Sequence, residues 1–211
     1  MTARPVLAMA ALLCVAFGSL SCGRNTARDD EVAVLETNYG RIVVEFYPKS
    51  APRHVENFKE LVEQGFYDGT RIHRIVKDKS GRAVAVQGGD PNTINGDPST
   101  WGRGQPAQPT VKAEFSSTLK HERGILSAAR RDDVNSATSQ FFICVGPMPQ
   151  LDGNYSIFGK VIEGMNTVDS IARAPLWPNT ERPLDPVVVT KVYLTKREAA
   201  MNRTTSVNDH K

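Results

Sequence analysis

Residues 72–90, Ile-His-Arg-Ile-Val-Lys-Asp-Lys-Ser-Gly-Arg-Ala-Val-Ala-Val-Gln-Gly-Gly-Asp, predict two short strands joined by a polar turn. The first strand, at 72–76, is rich in β-branched side chains and carries Arg74, and the second, at 83–86, leads into Gln87. Paired as a hairpin, the two strands bring Arg74 and Gln87 close together. Arginine offers a permanent charge and a planar fork of donors, while glutamine both donates and accepts hydrogen bonds. This pair is therefore the first candidate for a binding site.

Further runs with strand character recur along the chain, and only two segments have the apolar spacing of a helix. The predicted strands lie at 32–36, 41–47, 111–115, 124–129, 139–145, 155–161 and 187–194. One helix opens at Ser50, a favoured N-cap residue, and ends at Gly65, and the other covers Met165–Ala172. A long loop at 91–109 follows the opening stretch, and we expect Trp101 to pin it. Many short strands with two helices predict a mainly β domain, either a barrel or a sandwich.

The composition favours one folded domain and argues against nucleic-acid binding. The chain has 211 residues, enough for a domain with a sizeable core, and its net charge is only +3. No basic run is interleaved with aromatic residues, as nucleic-acid binding would favour. Cys144 is the one cysteine in the body of the chain, and it lies in a predicted strand. We therefore expect a buried structural thiol there rather than a nucleophile.

The first 22 residues differ from the rest of the chain and predict an export signal. Arg4 is the only charged side chain among them, and residues 6–20 are almost wholly apolar. That length suits the core of a signal peptide and is short for a membrane span. Ser21 and Cys22 follow in a context that resembles a bacterial lipobox, so Cys22 is the predicted lipidation site. A plainly secreted form and a retained signal-anchor helix are the alternatives.

These boundaries divide the chain into four parts. Residues 1–22 are the predicted signal peptide and 23–31 a polar tether. Residues 32–196 are the predicted domain, and 197–211 a polar tail that we expect to be disordered. The predicted location is the bacterial cell envelope, with the domain either lipid-anchored to a membrane or free in the periplasm.

Several motifs follow one another in an order that is more specific than any one of them. They are Tyr-Asp-Gly-Thr at 67–70, Ile-His-Arg-Ile at 72–75, Gln-Gly-Gly-Asp at 87–90, Gly-Ile-Leu-Ser-Ala-Ala at 124–129, Asn-Ser-Ala-Thr-Ser-Gln-Phe-Phe-Ile at 135–143, Leu-Asp-Gly at 151–153 and Phe-Gly-Lys-Val at 158–161. Together they resemble the cyclophilin family of peptidyl-prolyl isomerases over about residues 32–196. The segment at 135–143 is similar to the bacterial branch of that family.

The resemblance implies a closed eight-stranded antiparallel β-barrel capped by two α-helices, with a proline-binding site on an outer face. Arg74 matches the family's catalytic arginine, and Gln87 matches the glutamine that holds the arginine and the substrate backbone. Six further matches imply substrate-binding residues: Phe142 and Leu151 in the walls of the proline pocket, Ala129 and Gln140 in the adjoining groove, Tyr155 where the family has His or Tyr, and His73 as a packing residue beside the arginine.

The activity that the resemblance implies is cis–trans isomerisation of X–Pro bonds in exported, unfolded proteins, without a cofactor or a metal ion. The expected partners are proline-containing peptides and, through the N-terminal lipid, a membrane. We expect a monomer that does not bind nucleic acid.

Departures from the family pattern keep a second hypothesis open. Val84 and Ala85 stand where the family has a large pair such as Phe-Met, so the proline pocket would lack its aromatic floor. This favours a non-catalytic module that binds proline segments or acts as a holding chaperone, whereas the presence of Arg74, Gln87 and Phe142 favours an enzyme. Gln150 replaces the tryptophan of many eukaryotic members, and weak cyclosporin binding is expected as a result.

Overall fold

The structure is a computed structural model that describes residues 30–208, with the side chains of residues 30–202. Nine strands form one antiparallel sheet: β1 Glu31–Thr37, β2 Gly40–Phe46, β3 Arg71–Ile72, β4 Arg74–Lys77, β5 Ala83–Gly88, β6 Ile125–Ala128, β7 Phe141–Cys144, β8 Ile157–Glu163 and β9 Val187–Lys196. The helices are α1 Pro52–Glu63, α2 Asn92–Asn95, α3 Met165–Ala172 and α4 Arg197–Asn208.

The predicted export segment falls outside this part of the chain. The signal peptide at 1–22, Cys22 and residues 23–29 of the tether all precede the described residues. Glu31 was assigned to the tether but belongs to β1, where its carboxylate lies 2.8 Å from Nζ of Lys59. Within residues 30–208, none of the helices has the length and apolar character needed to cross a bilayer.

The sheet curls round until its two ends almost meet. Its strand order is β3-β9-β1-β2-β8-β6-β7-β5-β4, so the two edge strands, β3 and β4, are consecutive in the chain and separated only by His73. The backbone N–H of His73 donates to the carbonyl oxygen of Gln87 at 3.0 Å. This split at His73 divides the run predicted at 72–76 into two strands. The mainly β antiparallel barrel is thus confirmed, with nine strands instead of eight.

Alternation along the strands fills the barrel, and two helices cover it. In β1, Ala33 and Leu35 belong to the inner core, while their neighbours along the strand face the opposite side of the sheet. Helix α1 inserts Phe58, whose ring centroid lies 4.9 to 5.8 Å from those of four other aromatic residues: Phe46, Tyr67, Phe141 and Phe158. Helix α3 contributes Val168 and Ile171, both fully buried. The two helices of the sequence prediction are therefore confirmed as barrel caps.

The start of α1 is stabilised by Glu114, a residue distant in sequence, and not by Ser50, the predicted N-cap. Ala51 occupies the cap position and makes no side-chain capping bond. The carboxylate of Glu114 instead accepts hydrogen bonds from the backbone N–H groups of Arg53 at 3.1 Å and His54 at 3.0 Å. A carboxylate there satisfies unpaired donors and complements the positive end of the helix dipole.

The same contact explains why residues 111–115 are not the predicted strand. Val111 forms only an isolated bridge with Ala137, and beyond it the backbone N–H groups donate to side chains. Ala113 donates to Oδ1 of Asn135 and Glu114 to Oγ of Ser156. The segment therefore lies as an irregular strap that delivers Glu114 to the helix.

The polar tail, expected to be disordered, begins with helix α4. Its first turns cover the outer side of β1 and β2, because Ala200 is buried against Val32, Val34 and Val43. These valines point away from the barrel interior and need an apolar cover. The tail was predicted wrongly because its own composition is polar and only one of its described side chains is buried.

Candidate active site

One face of the sheet aligns the two predicted catalytic residues with the predicted pocket. In β4 and β5, Arg74 pairs directly with Gln87, and in β5 and β7, Gln87 pairs with Phe142. Phe142 in turn pairs with Ser127 of β6. Directly opposed residues share a face, so these four side chains form a row across four strands. The hairpin pairing predicted for Arg74 and Gln87 is confirmed.

A pocket of about 200 Å³, which we call the proline pocket, opens along this row. Six of the eight predicted site residues line it: Arg74, Gln87, Ala129, Phe142, Leu151 and Tyr155. Four more residues complete its lining: Ala85, which the sequence analysis had placed at the pocket, and Val76, Arg130 and Met148, which it had missed. Val84 and Ala85 both belong to a buried apolar cluster that includes Phe142 and Met148. Only Ala85 of the two lines the pocket. Met148 supplies part of the apolar wall.

Phe142, the floor of the proline pocket, is braced by two other rings. His121 stacks against it with ring centroids 6.0 Å apart, and Tyr155 meets it edge-on at 5.9 Å. His121 is itself held at both nitrogens: Nδ1 lies 3.0 Å from Oδ1 of Asp152, and Nε2 lies 3.1 Å from Oγ of Ser127. Burial lowers the pKa of His121, although Asp152 acts in the opposite direction. The floor is thus fixed by a hydrogen-bonded support behind it.

Ser127, His121 and Asp152 have the bonding order of a nucleophile, a base and an orienting acid, but they are structural. Ser127 has no exposed surface, and its hydroxyl also contacts the carbonyl oxygen of Ser156 at 3.0 Å. A substrate has no access to it. Cys144 is buried as predicted, and burial raises the pKa of its thiol to about 12, which keeps it protonated and inert.

A chain of hydrogen bonds connects the arginine to the neighbouring groove. Nη1 of Arg74 lies 3.4 Å from Oε1 of Gln87, whose Nε2 donates to Oε1 of Gln140 at 3.0 Å. Gln140 then donates from Nε2 to the carbonyl oxygen of Gly102 at 3.1 Å. Gln140 therefore lies outside the proline pocket, in the wall of an adjoining groove of about 50 Å³.

On its other side, Arg74 forms an ion pair that the sequence did not reveal. Nε donates to Oε2 of Glu181 at 2.5 Å, and the arginine side chain remains 48% exposed. Glu181 lies in the Pro-rich segment before β9, and its carbonyl oxygen accepts from the backbone N–H of Ile75. That backbone contact places the carboxylate beside β4. Among the described residues, Nη2 of Arg74 has no hydrogen-bond partner, and Arg74 lines the proline pocket, so its guanidinium keeps unused N–H donors there.

His73 does not line the proline pocket. It is 6% exposed and lines a second cavity of about 360 Å³ with Trp101 and Glu181, which Arg74 and Gln87 also border. Burial lowers the pKa of His73, so the ring is neutral near pH 7. The structure therefore places it as a packing residue under the loop at 91–109.

That loop is anchored by a buried carboxylate. Oδ2 of Asp90 accepts from the backbone N–H groups of Gly102 at 2.5 Å and Gly104 at 3.3 Å. Trp101 lies between two guanidinium groups, with Arg71 at 5.1 Å and Arg182 at 5.7 Å from its ring. The predicted pinning role of Trp101 is confirmed. These contacts hold Gly102 where Gln140 can reach it.

The residues that sequence reasoning missed fall into two groups. Val76 and Met148 can be assigned to the pocket once β4 and the turn after β7 are placed. Glu181 and Asp90 are polar residues at loop positions, where no periodic pattern identifies a partner.

Comparison with known proteins agrees with this geometry. Residues 32–194 match the family described as cyclophilin type peptidyl-prolyl cis-trans isomerase/CLD. The peptidyl-prolyl cis-trans isomerase cypE of Dictyostelium discoideum is 38% identical over 164 residues, 77% of this chain and 96% of that protein. The isomerase CYP18-2 of Arabidopsis thaliana is 41% identical over 77% of this chain and 90% of its own length.

Solved structures share the fold. A Cryptosporidium parvum cyclophilin-type isomerase, crystallised in the presence of the dipeptide Ala-Pro, has a TM-score of 0.68 and 30% identity, covering 79% of this chain and 99% of that one. Cyclophilin AquaCyp293 from Hirschia baltica has a TM-score of 0.62 at 23% identity, covering 78% and 74%. The barrel, the row of site residues and these matches together show that the chain belongs to the cyclophilin family and is a peptidyl-prolyl cis-trans isomerase.

Proposed function

We propose that this protein is an exported member of the bacterial branch of the family, tethered to a membrane, and isomerises X–Pro bonds in exported proteins. The observation that carries the catalytic part is the position of Arg74. Arg74 lines an apolar pocket, its Nε and Nη1 are held by Glu181 and Gln87, and its guanidinium keeps unused N–H donors. The Ala-Pro dipeptide used with the similar C. parvum enzyme supports a proline ring as the occupant of that pocket.

The proposed chemistry needs no covalent step. Rotation about X–Pro is slow because amide resonance imposes a barrier of about 20 kcal/mol. As the bond twists, the nitrogen pyramidalises and its lone pair becomes a better acceptor. A guanidinium held in place stabilises the twisted amide more than the planar amide, which lowers the barrier. Gln87 holds the substrate backbone while the proline ring rests on Phe142.

The small side chain of Ala85 was the reason for the alternative of a non-catalytic binding module. In the structure Met148 and Val76 supply apolar surface beside Ala85, so the pocket keeps a hydrophobic lining around Phe142. The two relatives named above are both peptidyl-prolyl cis-trans isomerases, and this chain matches them over 96% and 90% of their length. Both points support the catalytic function.

Catalysis is tested by measuring cis–trans exchange of an Ala-Pro tetrapeptide with the purified domain. We expect acceleration that falls by about 10²-fold or more in Arg74→Ala. Equal rates for the wild type and this variant would refute the proposed role of the arginine.

The proposed tether has its support in residues 1–22, where an apolar core is followed by Ser21 and Cys22. Bacterial lipoproteins carry several acyl chains, and more than one chain is needed for stable anchoring. In a bacterial host, labelled palmitate should enter the wild-type protein but not Cys22→Ser. Absence of label, together with a mature N-terminus elsewhere, would indicate a soluble exported enzyme instead.

A further inference from the structure

Three arginines surround the small groove that adjoins the proline pocket. The side chains of Arg103, Arg130 and Arg131 line this groove of about 50 Å³ together with the hydroxyl residues Ser136 and Thr138. We call these five residues the cationic subsite. None of the residues that line the groove has a carboxylate. The hydroxyl of Ser136 already donates to the carbonyl oxygen of Asp133, so the guanidinium groups are the donors that suit this concave site to an anion.

The charge of the cationic subsite is not neutralised within residues 30–202. Elsewhere in this part of the chain, five arginines form ion pairs with carboxylates, namely Arg41, Arg74, Arg82, Arg123 and Arg197, while Arg53, Arg71, Arg173 and Arg182 do not. None of the three groove arginines has a carboxylate within ion-pair distance in the same residues. Of the two acidic neighbours, Asp133 accepts a hydrogen bond from the backbone N–H of Asn135, and Asp132 contacts Arg130 only through its backbone carbonyl. Positive charge is thus concentrated beside the site.

Two of the three guanidinium groups are held in position by the protein. Nη2 of Arg131 donates to the carbonyl oxygen of Arg103, which joins the two loops that form the groove. Arg130 lies over the ring of Tyr155 at 4.4 Å and donates to the carbonyl oxygens of Arg131 and Asn154. Preorganised donors lose little conformational entropy when they bind a ligand. Each group retains N–H donors, because a guanidinium has five.

The groove and the proline pocket form one continuous path. Gln87, Ala129 and Arg130 line both of them. A chain bound with its proline in the pocket therefore reaches the groove within a few residues, since an extended peptide spans about 3.5 Å per residue. The small volume of the groove suits one carboxylate and not a large apolar side chain.

We propose that the cationic subsite selects X–Pro segments that carry a Glu or Asp within three residues of the proline. This inference rests on the proposed binding of proline peptides at the pocket and names the class of peptide preferred there. Arg103 and Arg131 act as specificity-determining residues, because their guanidinium groups bind the substrate carboxylate beyond the reacting bond.

The test compares peptides that differ only in charge. Ala-Pro peptides carry Glu or Gln one or two residues before the Ala-Pro unit, or one, two or three residues after it. Exchange is measured by NMR, which avoids the sequence preference of a coupling protease. At one or more positions we expect kcat/KM to favour Glu by about three- to tenfold. The preference should shrink as ionic strength rises from about 0.05 to 0.5 M, because screening weakens exposed charge pairs.

Variants of the arginines test whether the preference for Glu over Gln peptides arises at the cationic subsite. The Glu/Gln ratio should fall toward one in Arg103→Gln and in Arg131→Gln, and Arg131→Glu should favour a Lys peptide over the Gln peptide. Lys191→Gln removes one positive charge at an exposed position of β9 and should leave the Glu/Gln ratio unchanged. Equal turnover of Glu and Gln peptides at every position, or an equal loss of preference in Lys191→Gln, would overturn the proposal.

The two proposals fail separately. If the wild-type protein turns over none of the Gln peptides, the isomerase activity is absent. The ratio of dissociation constants for the Glu and Gln peptides, measured by titration, then still decides whether the cationic subsite selects acidic segments.

Discussion

Oε2 of Glu181 lies 2.5 Å from Nε of Arg74, although 107 residues separate the two in the chain. This bond and the contact with Gln87 hold two nitrogens of the Arg74 guanidinium at the edge of the proline pocket. The carboxylate thus orients the guanidinium. Both side chains are more than a third exposed, so the pair contributes little to the stability of the fold.

Glu181→Gln should therefore lower catalysis without unfolding the protein. We expect kcat to fall about three- to tenfold with a smaller change in KM, because the arginine samples more orientations. Glu181→Asp, with its shorter side chain, should give an intermediate rate. Glu63→Gln, at the end of α1, is the matched control for loss of one carboxylate. An unchanged kcat in Glu181→Gln would show that Gln87 alone is sufficient to orient Arg74.

Gln150→Trp should strengthen inhibition by cyclosporin. Gln150 is exposed in the 3₁₀ turn Pro149–Leu151, next to Leu151 in the wall of the proline pocket. An indole there adds a broad apolar face and one N–H donor. We expect weak inhibition of the wild type and an inhibition constant about tenfold lower in the variant. Tight inhibition of the unmodified protein would contradict this prediction.

The folded domain should lose stability as the pH falls below about 6.5. Burial lowers the pKa values of His54, His73 and His121 from an ordinary value of 6.5. The unfolded chain therefore takes up protons at a higher pH than the native protein does, and the native state is favoured less as the pH drops. Melting temperatures measured between about pH 7.5 and 5 should fall across this window.

His73→Phe separates this effect from general acid sensitivity. Neither ring nitrogen of His73 has a partner of ordinary hydrogen-bond geometry among the described residues, where the backbone of Arg71 makes the one weak polar contact with the ring. The substitution therefore removes a titrating group and at most this one weak contact. We expect a shallower decrease in melting temperature between the same pH limits. A decrease as steep as that of the wild type would assign the acid sensitivity to His54 and His121.

Truncation after Lys196 should destabilise the barrel although it leaves all nine strands. Removal of α4 uncovers Val32, Val34 and Val43 and deletes Ala200. We expect a loss of about 2 kcal/mol in the free energy of unfolding, from the apolar surface that becomes exposed. Truncation after Asn202 keeps Ala200 and should cost less. Equal stability of both truncated forms in urea would show that α4 is dispensable.

Local pattern determined a mainly β domain, either a barrel or a sandwich, and one pair of residues in the site. Period-two alternation assigned most strands, because a strand with a buried face must place apolar residues on every second position. Arg74 and Gln87 are only 13 residues apart, within one hairpin, so their proximity followed from the turn between them. The order of motifs identified the family and, with it, most of the residues that line the proline pocket.

Tertiary structure alone decided which polar groups meet. Glu181 reaches Arg74, Glu114 caps α1 from 60 residues away, and Arg103 meets Arg131 across two loops. Glu181, Glu114, Arg103 and Arg131 all lie in irregular segments. The backbone direction of such a segment depends on how the strands on either side of it pair. No periodic pattern in the sequence predicts side-chain pairs of this kind, because the segments that carry them come into contact only when the barrel forms. The charge around the proline pocket is therefore a property of the folded chain and not of any one motif.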